Sequence, residues 1–354
     1  MPTPETTPAP QYALTYDVGG SHISAALCAQ HTYALHGITR APLPSHDPGE
    51  PESHPGHFSA ASFCRLIHTL GEAAAKSAGV SMSQVAGADI AMPGPFDYAN
   101  GVSLIQHKLQ SLYKFDLKHA LAARFHWQPE QLKFVNDAAA FTLGEAGAGA
   151  AKGYGRALGI TLGTGIGASF AVDKKIAESG PGNPEHVPEG GELWNQPYND
   201  TTVEEFVSTR YLRRHYLELT GLEAEVSQVA AIAQCEDQKP CPPFEELISS
   251  QPAPRSFEST EGGATQRPRS LNATPANAAR KAFEDFGYHL GMALNQHAAA
   301  FRPDIIVLGG GIARAHALFL PATKKALTFE TKIAISTLMD EAPLAGAAVH
   351  FFNN

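Results

Sequence analysis

Apolar residues along this chain recur in two alternating periods. Short, nearly continuous apolar runs at Tyr12 to Tyr16, Ile23 to Cys28 and Thr32 to Ile38 predict three successive strands. Phe63, Leu66, Ile67, Leu70 and Ala74 then fall at helical spacing, and Val85 to Met92 reads as a buried strand ending at Pro93-Gly94-Pro95. A helix is expected over 115–125, a strand over 132–135, and a helix over 138–146 directly after Asp137. Arg156 to Leu162 and Gly167 to Val172 restart the pattern as a hairpin, echoing the arrangement around Gly19 and Gly20, which hints at a duplicated α/β unit. Helices follow over 203–216 and 277–301. In the second, Ala282, Phe283, Phe286, Leu290, Ala293, Leu294 and His297 share one face, making His297 a core or edge histidine.

Between these elements lie two stretches without apolar periodicity. The loop over 41–57 carries His46, His54 and His57, which could hold a metal, but the surrounding prolines and glycines predict a mobile, solvated loop. The stretch over 235–274 is dense in Pro, Ser, Glu and Gln and fits a surface insertion or a disordered segment with no catalytic role. The chain's 354 residues, 43% of them hydrophobic, exceed one ordinary core and suggest two lobes with a cleft between them. The expected division is a flexible tail over 1–11, an N-terminal α/β lobe over 12–138 and a C-terminal α/β lobe over 139–354 that contains the insertion.

Composition removes several function classes. A formal charge of -9 and a pI near 6.0 argue against a general nucleic-acid or anionic-membrane binder. Cys28, Cys64, Cys235 and Cys241 lack metal-like spacing and are too few for a disulfide framework, so all four read as reduced thiols. No secretory signal opens the chain, and no run of about 18 apolar residues offers a membrane span, so the expected location is the cytoplasm.

The candidate chemistry lies in three glycine-rich turns, Asp17-Val-Gly-Gly-Ser21, Leu162-Gly-Thr-Gly-Ile-Gly167 and Leu308-Gly-Gly-Gly-Ile312, with Val135-Asn136-Asp137 between the first two. Backbone without a Cβ can approach a phosphate closely and point N–H groups at it. The P-loop pattern is absent. Gly163, Gly165 and Ala168 match a dinucleotide fingerprint in form, but strand-like residues follow where that site needs a helix. A hydroxyl attacking a γ-phosphoryl group needs alignment, charge neutralisation and a proton acceptor, and Asp137 can supply the last. Its position at a helix start should favour the ionised form. Asn136-Asp137 also fits a helix N-cap.

Together with Ala91-Met-Pro-Gly-Pro95, Val135-Asn-Asp-Ala-Ala139 and Ile306-Val-Leu-Gly-Gly-Gly311, these turns resemble the ROK family of sugar kinases and repressors, in family order from about residue 14 to 349. The resemblance implies an actin-like ATPase fold, with two ribonuclease-H-like α/β lobes and ATP and sugar in a central cleft. It implies that Asp17, Gly19, Gly20 and Ser21 lie beside the transferring phosphate and its Mg²⁺. His22 replaces a common lysine there. Gly163, Thr164, Gly165 and Gly167 would cradle ATP phosphates, and Gly309, Gly310 and Gly311 would lie against the adenosine. Asn136 and Gly94 would face the sugar, with Asp137 as base and sugar ligand.

Family members commonly carry Gly-Glu-x-Gly-His, a zinc loop with three cysteines, and then Leu-Glu-x-x-x-Ser. Here Gly191-Glu-Leu-Trp-Asn195 is followed within a few residues by Val203-Glu-Glu-Phe-Val-Ser208. Glu192 and Glu204 carry over as sugar ligands, Asn195 stands at the histidine position, and no structural zinc is expected. His186 could swing inward but fits a surface loop. The resemblance further implies a homodimer, and lobe closure about a hinge near 138–145.

The function so implied is ATP-dependent phosphorylation of a hexose. Glucose at its 6-hydroxyl is the leading substrate, with fructose, mannose and N-acetylated hexosamines as rivals. A repressor of the same family would need a helix-turn-helix ahead of the first strand, where about a dozen residues stand. A non-catalytic sugar-binding protein is disfavoured by the retained Asp137 and glycine turns.

Overall fold

The structure, a computed structural model, describes residues 12–44, 58–106, 109–177, 179–180, 183–236, 241–250 and 274–353. His46, His54 and His57 lie outside them, as does most of the 235–274 stretch.

The chain folds into two lobes, each built on a five-stranded mixed sheet of the same design. In the first, β1 (Tyr12–Val18), β2 (His22–Ala29) and β3 (Leu35–Pro42) form an antiparallel meander. β4 (Val85–Met92) then adds parallel to β1. A small ribbon of β5 (Phe96–Asp97) and β6 (Val102–Ser103) precedes β7 (Leu132–Asn136), which completes the order β3-β2-β1-β4-β7. The second sheet repeats this plan. It starts with the antiparallel β8 (Arg156–Leu162), β9 (Ile166–Val172) and β10 (Lys175–Ile176). After a ribbon of β11 (Pro197–Tyr198) and β12 (Thr201–Thr202), the strands β13 (Ile305–Gly309) and β14 (Lys332–Ile335) give the order β10-β9-β8-β13-β14. Apolar pattern tracks position in the sheet: interior β13 is buried throughout, whereas edge strand β3 alternates half-buried and exposed residues.

Helices cover the sheets by their apolar stripes. α1 (Ala60–Ser77), capped by the Ser59 hydroxyl accepting from Ser62 N, lays Phe63, Ile67, Leu70 and Ala74 toward the first sheet, and α2 (Leu117–Phe125) packs beside it. α3 (Asp137–Gly147) starts directly after β7 and packs on β8 and β9. The second half adds α4 (Thr209–Thr220), α5 (Val226–Ala233), α6 (Pro242–Ser250) and α7 (Pro275–His297), whose Phe283, Phe286 and Leu290 anchor the larger core. α8 (His316–Ala326) lies along α7. The last helix, α9 (Ala342–Asn353), returns to β1, β2 and β4, where His350 Nδ1 lies 2.6 Å from the fully buried Asp89 carboxylate.

α3 and α9 cross in backbone contact, with Gly144 against Ala342 and Gly346 against Ala140. This crossing joins the helix behind the second sheet to the helix behind the first.

Three readings need correction. The helix expected over 203–216 breaks in two: a 3₁₀ turn over 203–205, then α4, because the Ser208 hydroxyl caps a new helix by accepting from Tyr211 N. Residues 242–250, expected to lack regular structure, form α6, whose Leu247 is buried in the larger core. Cys235 and Cys241 are not reduced thiols but form a disulfide, their Cα atoms 5.7 Å apart and within bonding reach. Cys28 and Cys64 are free and buried. His297 stands at the edge of α7, its Nε2 2.8 Å from the Pro197 carbonyl.

Candidate active site in the cleft between the lobes

Ligands of open α/β sheets collect at the carboxyl ends of parallel strands. Here Asp17 on β1 pairs with Ala91 on β4, Met92 pairs with Asn136 on β7, and Thr161 on β8 pairs with Gly309 on β13. The candidate residues thus stand at or just beyond the same ends of both sheets. Between the lobes lies a cavity of about 810 Å³, within the size range of small-molecule sites. Asn136, Asp137 and Gly94 line it from the first lobe; Glu192, Asn195 and Glu204 line it from the second, together with Gly163, Thr164, Gly165, Gly167 and Gly310.

Asn136 is the N-cap of α3. Its Oδ1 accepts from Ala138 N at 2.9 Å and Ala139 N at 3.1 Å, and its Nδ2 donates to the Tyr98 hydroxyl at 3.2 Å. Tyr98 in turn donates to the Met92 carbonyl. The amide's orientation is therefore fixed, with its oxygen committed to the helix and its remaining N–H available to the cleft. Tyr98 was not among the residues singled out from the sequence; its place two residues past Pro93-Gly94-Pro95-Phe96 was the only signal.

Asp137, the first residue of α3, is open to the cleft, and its Oδ1 accepts from Ala138 N at 2.9 Å. The helix start was expected to keep this carboxylate readily ionised. Instead the enclosing walls dominate: burial pushes the Asp137 pKa above the ordinary range, opposed only in part by hydrogen bonds from Ala138 and its own backbone. A carboxyl so placed is a stronger base than one in water.

Asp17 lies near enough for the two charges to interact. Burial first, then the Asp137 charge, raises Asp17 to about 7, with Arg40 opposing and Asp340 adding to the rise. A raised pKa has a definite consequence for stability. Between about pH 4 and about pH 7 the unfolded chain releases this proton while the folded chain keeps it, so stability falls as pH rises through that window. Asp17→Asn should therefore raise the Tm above about pH 7 and leave it unchanged below about pH 4. Thermal scans at the two extremes, showing no gain at the higher pH, would remove the claim that this carboxylate is strained.

The glycines serve different ends. Gly163, Thr164 and Gly165 form the tight loop between β8 and β9, where Gly163 O accepts from Thr209 N and so ties the turn to the start of α4. At Gly165 a Cβ would lie 2.1 Å from Glu204 Oε2. Glu204 packs there, accepting from Ile166 N at 3.3 Å and pairing with Arg210 at 3.7 Å. Gly310 has φ +82° and abuts the Leu162 backbone, a position only glycine fits. Gly309 is buried against the Phe141 ring, and Gly167 against Thr161, so these two make room for packing. Gly311 faces open space.

Gly19, Gly20, Ser21 and His22 do not line the cavity; they form the turn after Asp17, with Gly19 N donating to His22 O and the His22 ring 3.3 Å from Ser21 Oγ. His186 is exposed and also lies off the cavity wall. Glu192 follows Gly190 and Gly191, both at positive φ, and receives a hydrogen bond from Trp194 Nε1. Burial raises its pKa as well, that bond opposing and the Asp137 charge adding. The cleft thus holds several carboxylates, of which Glu204 is paired with Arg210, and such an oxygen-rich wall suits hydroxyl groups and a phosphate-bound divalent ion. Among the described residues, no group of three or more His, Cys, Asp or Glu is arranged to hold a metal, and no helix is long and apolar enough to cross a membrane.

Comparison with known proteins agrees with this geometry. A curated relative, N-acetylgalactosamine kinase AgaK from Shewanella sp. (strain ANA-3), is 27% identical over 245 residues, 68% of each chain. The ROK hexokinase from Thermus thermophilus has a similar structure, with TM-score 0.67, 20% identity and coverage of 96% of this chain and 97% of that one. A ROK family glucokinase from Streptomyces griseus, solved with glucose and AMPPNP, matches with TM-score 0.63, 18% identity, and coverage of 97% and 100%. The ROK family model itself matches residues 15–352, and with the two-lobed fold and its cleft already in hand, the chain belongs to the ROK family and has the architecture of its sugar kinases.

Proposed function

We propose that the protein transfers the γ-phosphoryl group of ATP to the 6-hydroxyl of a hexose, with glucose as the leading substrate. One observation carries this reading above the others: Asp137, with a carboxyl made more basic by enclosure, shares a single cavity with the glycine turn at 163–167 and with Glu192 and Glu204.

In the proposed mechanism, the free N–H of Asn136 and the carboxylates of Glu192 and Glu204 hold sugar hydroxyls, with Asn195 and the Gly94 backbone completing the wall. Asp137 aligns the 6-hydroxyl. As the oxygen–phosphorus bond forms, the bond from the γ-phosphorus to the bridging oxygen breaks, ADP leaves, and the hydroxyl proton passes to Asp137. The Gly163 to Gly167 turn lies against the phosphates, and the Gly309 to Gly311 turn faces the nucleoside side. Gly19, Gly20, Ser21 and His22 form the opposing turn. Asp17 is the residue placed to hold Mg²⁺, which when bound offsets negative charge on the transferring phosphoryl group. Lobe closure about the start of α3, over 138–145, excludes water before transfer. The protein acts as a cytoplasmic homodimer in this reading.

The choice of hexose rests on the family's commonest substrate. An N-acetylated hexosamine is a second reading, favoured by the 27% identity to a kinase named for N-acetylgalactosamine. Leaving one buried polar partner unpaired costs about 1–3 kcal/mol, so one contact suffices to choose between sugars. A coupled ADP-release assay with Mg²⁺, ATP and a panel of glucose, fructose, mannose and N-acetylated hexosamines tests the proposal. Sugar-dependent release is the expected result; silence with every sugar would overturn it.

A further inference from the structure

Among the large apolar side chains that stand exposed in the described residues, Trp194 alone lines the cleft. Its exposure is 44%. An indole left in water is unfavourable unless it meets a ligand, and tryptophan combines a broad apolar face with one polar donor. Both halves are arranged here. The N–H donates to Glu192 Oε2, and the main chain is pinned on both sides: Trp194 O accepts from Glu204 N at 3.2 Å, and neighbouring Leu193 is fully buried. Pro93 and Pro95 line the same cavity. The ring is therefore held before any ligand arrives, and the residue touches both glutamates on this wall, Glu192 through its indole N–H and the Glu204 backbone through its main-chain oxygen.

We propose that the indole face of Trp194 is the platform on which the C–H face of a pyranose ring rests, and that its N–H directs Glu192 by holding Oε2, which makes Oε1 the freer oxygen for sugar hydroxyls. This rests on the kinase reading. A pyranose has a polar rim and an apolar face, so a site that binds it by hydroxyl contacts at the edge needs an apolar surface beneath. The Pro93 to Pro95 segment and Trp194 both line that space. Sugars whose axial hydroxyl points at the indole would lose this contact, which makes Trp194 a specificity determinant as well as a support.

The test combines kinetics with binding. Trp194→Ala should raise the sugar KM about tenfold or more, the scale expected when an aromatic anchor is lost from a binding site, while kcat and the KM for ATP stay within about threefold. Trp194→Phe, which keeps a ring but lacks the N–H, should recover part of that loss. The chain has two tryptophans, and Trp127 stacks on Phe125 away from the cavity. In a Trp127→Phe background the remaining indole emission should shift on titration with D-glucose or N-acetyl-D-glucosamine, whichever is phosphorylated, with a midpoint near KM. If the wild-type enzyme releases ADP with a sugar but Trp194→Ala leaves its KM within about twofold, the platform is overturned while the kinase reading stands. If no sugar elicits ADP release and none shifts the emission, both fall together.

Discussion

Asp137→Asn should bind sugar almost as well as the native enzyme but turn over about a hundredfold to ten-thousandfold more slowly, the range spanned by loss of a positioned general base. The substitution is nearly isosteric and retains an oxygen that can accept from Ala138 N, so α3 keeps its start. What it removes is the proposed proton acceptor. Because enclosure raises this carboxyl's pKa, the native enzyme's kcat/KM should climb as pH rises through the raised value and fall in acid, where the base is protonated. That acid limb should vanish from the residual activity of the Asn variant. A variant that kept more than about a tenth of native kcat would show that Asp137 is not the base.

The second large effect is structural. At the crossing of α3 and α9, a Cβ on Gly346 would stand 1.6 Å from the Ala140 carbonyl oxygen, and one on Gly144 would stand 2.0 Å from that of Ala342. No rotamer relieves such a clash, because the offending atom is the Cβ itself. Gly346→Val must therefore part the helices, loosening the Ala347 and Val349 packing beneath them. Overpacking costs about 1–3 kcal/mol where side chains can yield, and this contact is backbone on backbone, so a loss of about 3 kcal/mol or more is expected. For a chain of this size that corresponds to a Tm lower by about 4 °C or more. Turnover should fall too, since α3 begins with Asp137. A calorimetric Tm within about 1 °C of native would show that the crossing has no such constraint.

How much of this was legible in the sequence depended on the range of the interaction. Val85–Met92 and Arg156–Leu162 were readable to the residue, because each is a mostly apolar run followed directly by proline or glycine. The repeat of the hairpin-plus-parallel-strand plan was readable for the same reason: glycine turns mark both copies. The break at Ser208 was hidden, since apolar spacing continues across it and only the cap reveals a new start. α9 returning to the first sheet was out of reach, because nothing local in Ala342–Asn353 says which sheet it covers.

The site divides in the same way. Asn136, Asp137 and the glycine turns announce themselves by residue type at strand ends. Tyr98 and Trp194 do not, because their importance lies in partners far along the chain or across a turn, and an aromatic residue in a loop has many uses. The direction of the Asp137 pKa shift was hidden for a related reason. A helix start is visible in sequence, whereas the depth of the enclosing walls is a property of the folded cleft.

The most direct measurement is a crystal structure of the enzyme with its preferred hexose and a non-hydrolysable ATP analogue. The acceptor hydroxyl should lie about 2.6–3.2 Å from an Asp137 carboxylate oxygen, with the terminal phosphate against the Gly163 to Gly167 turn on the hydroxyl's other side. A sugar seated away from Asp137, or a triphosphate lying against neither that turn nor Asp17, would contradict it.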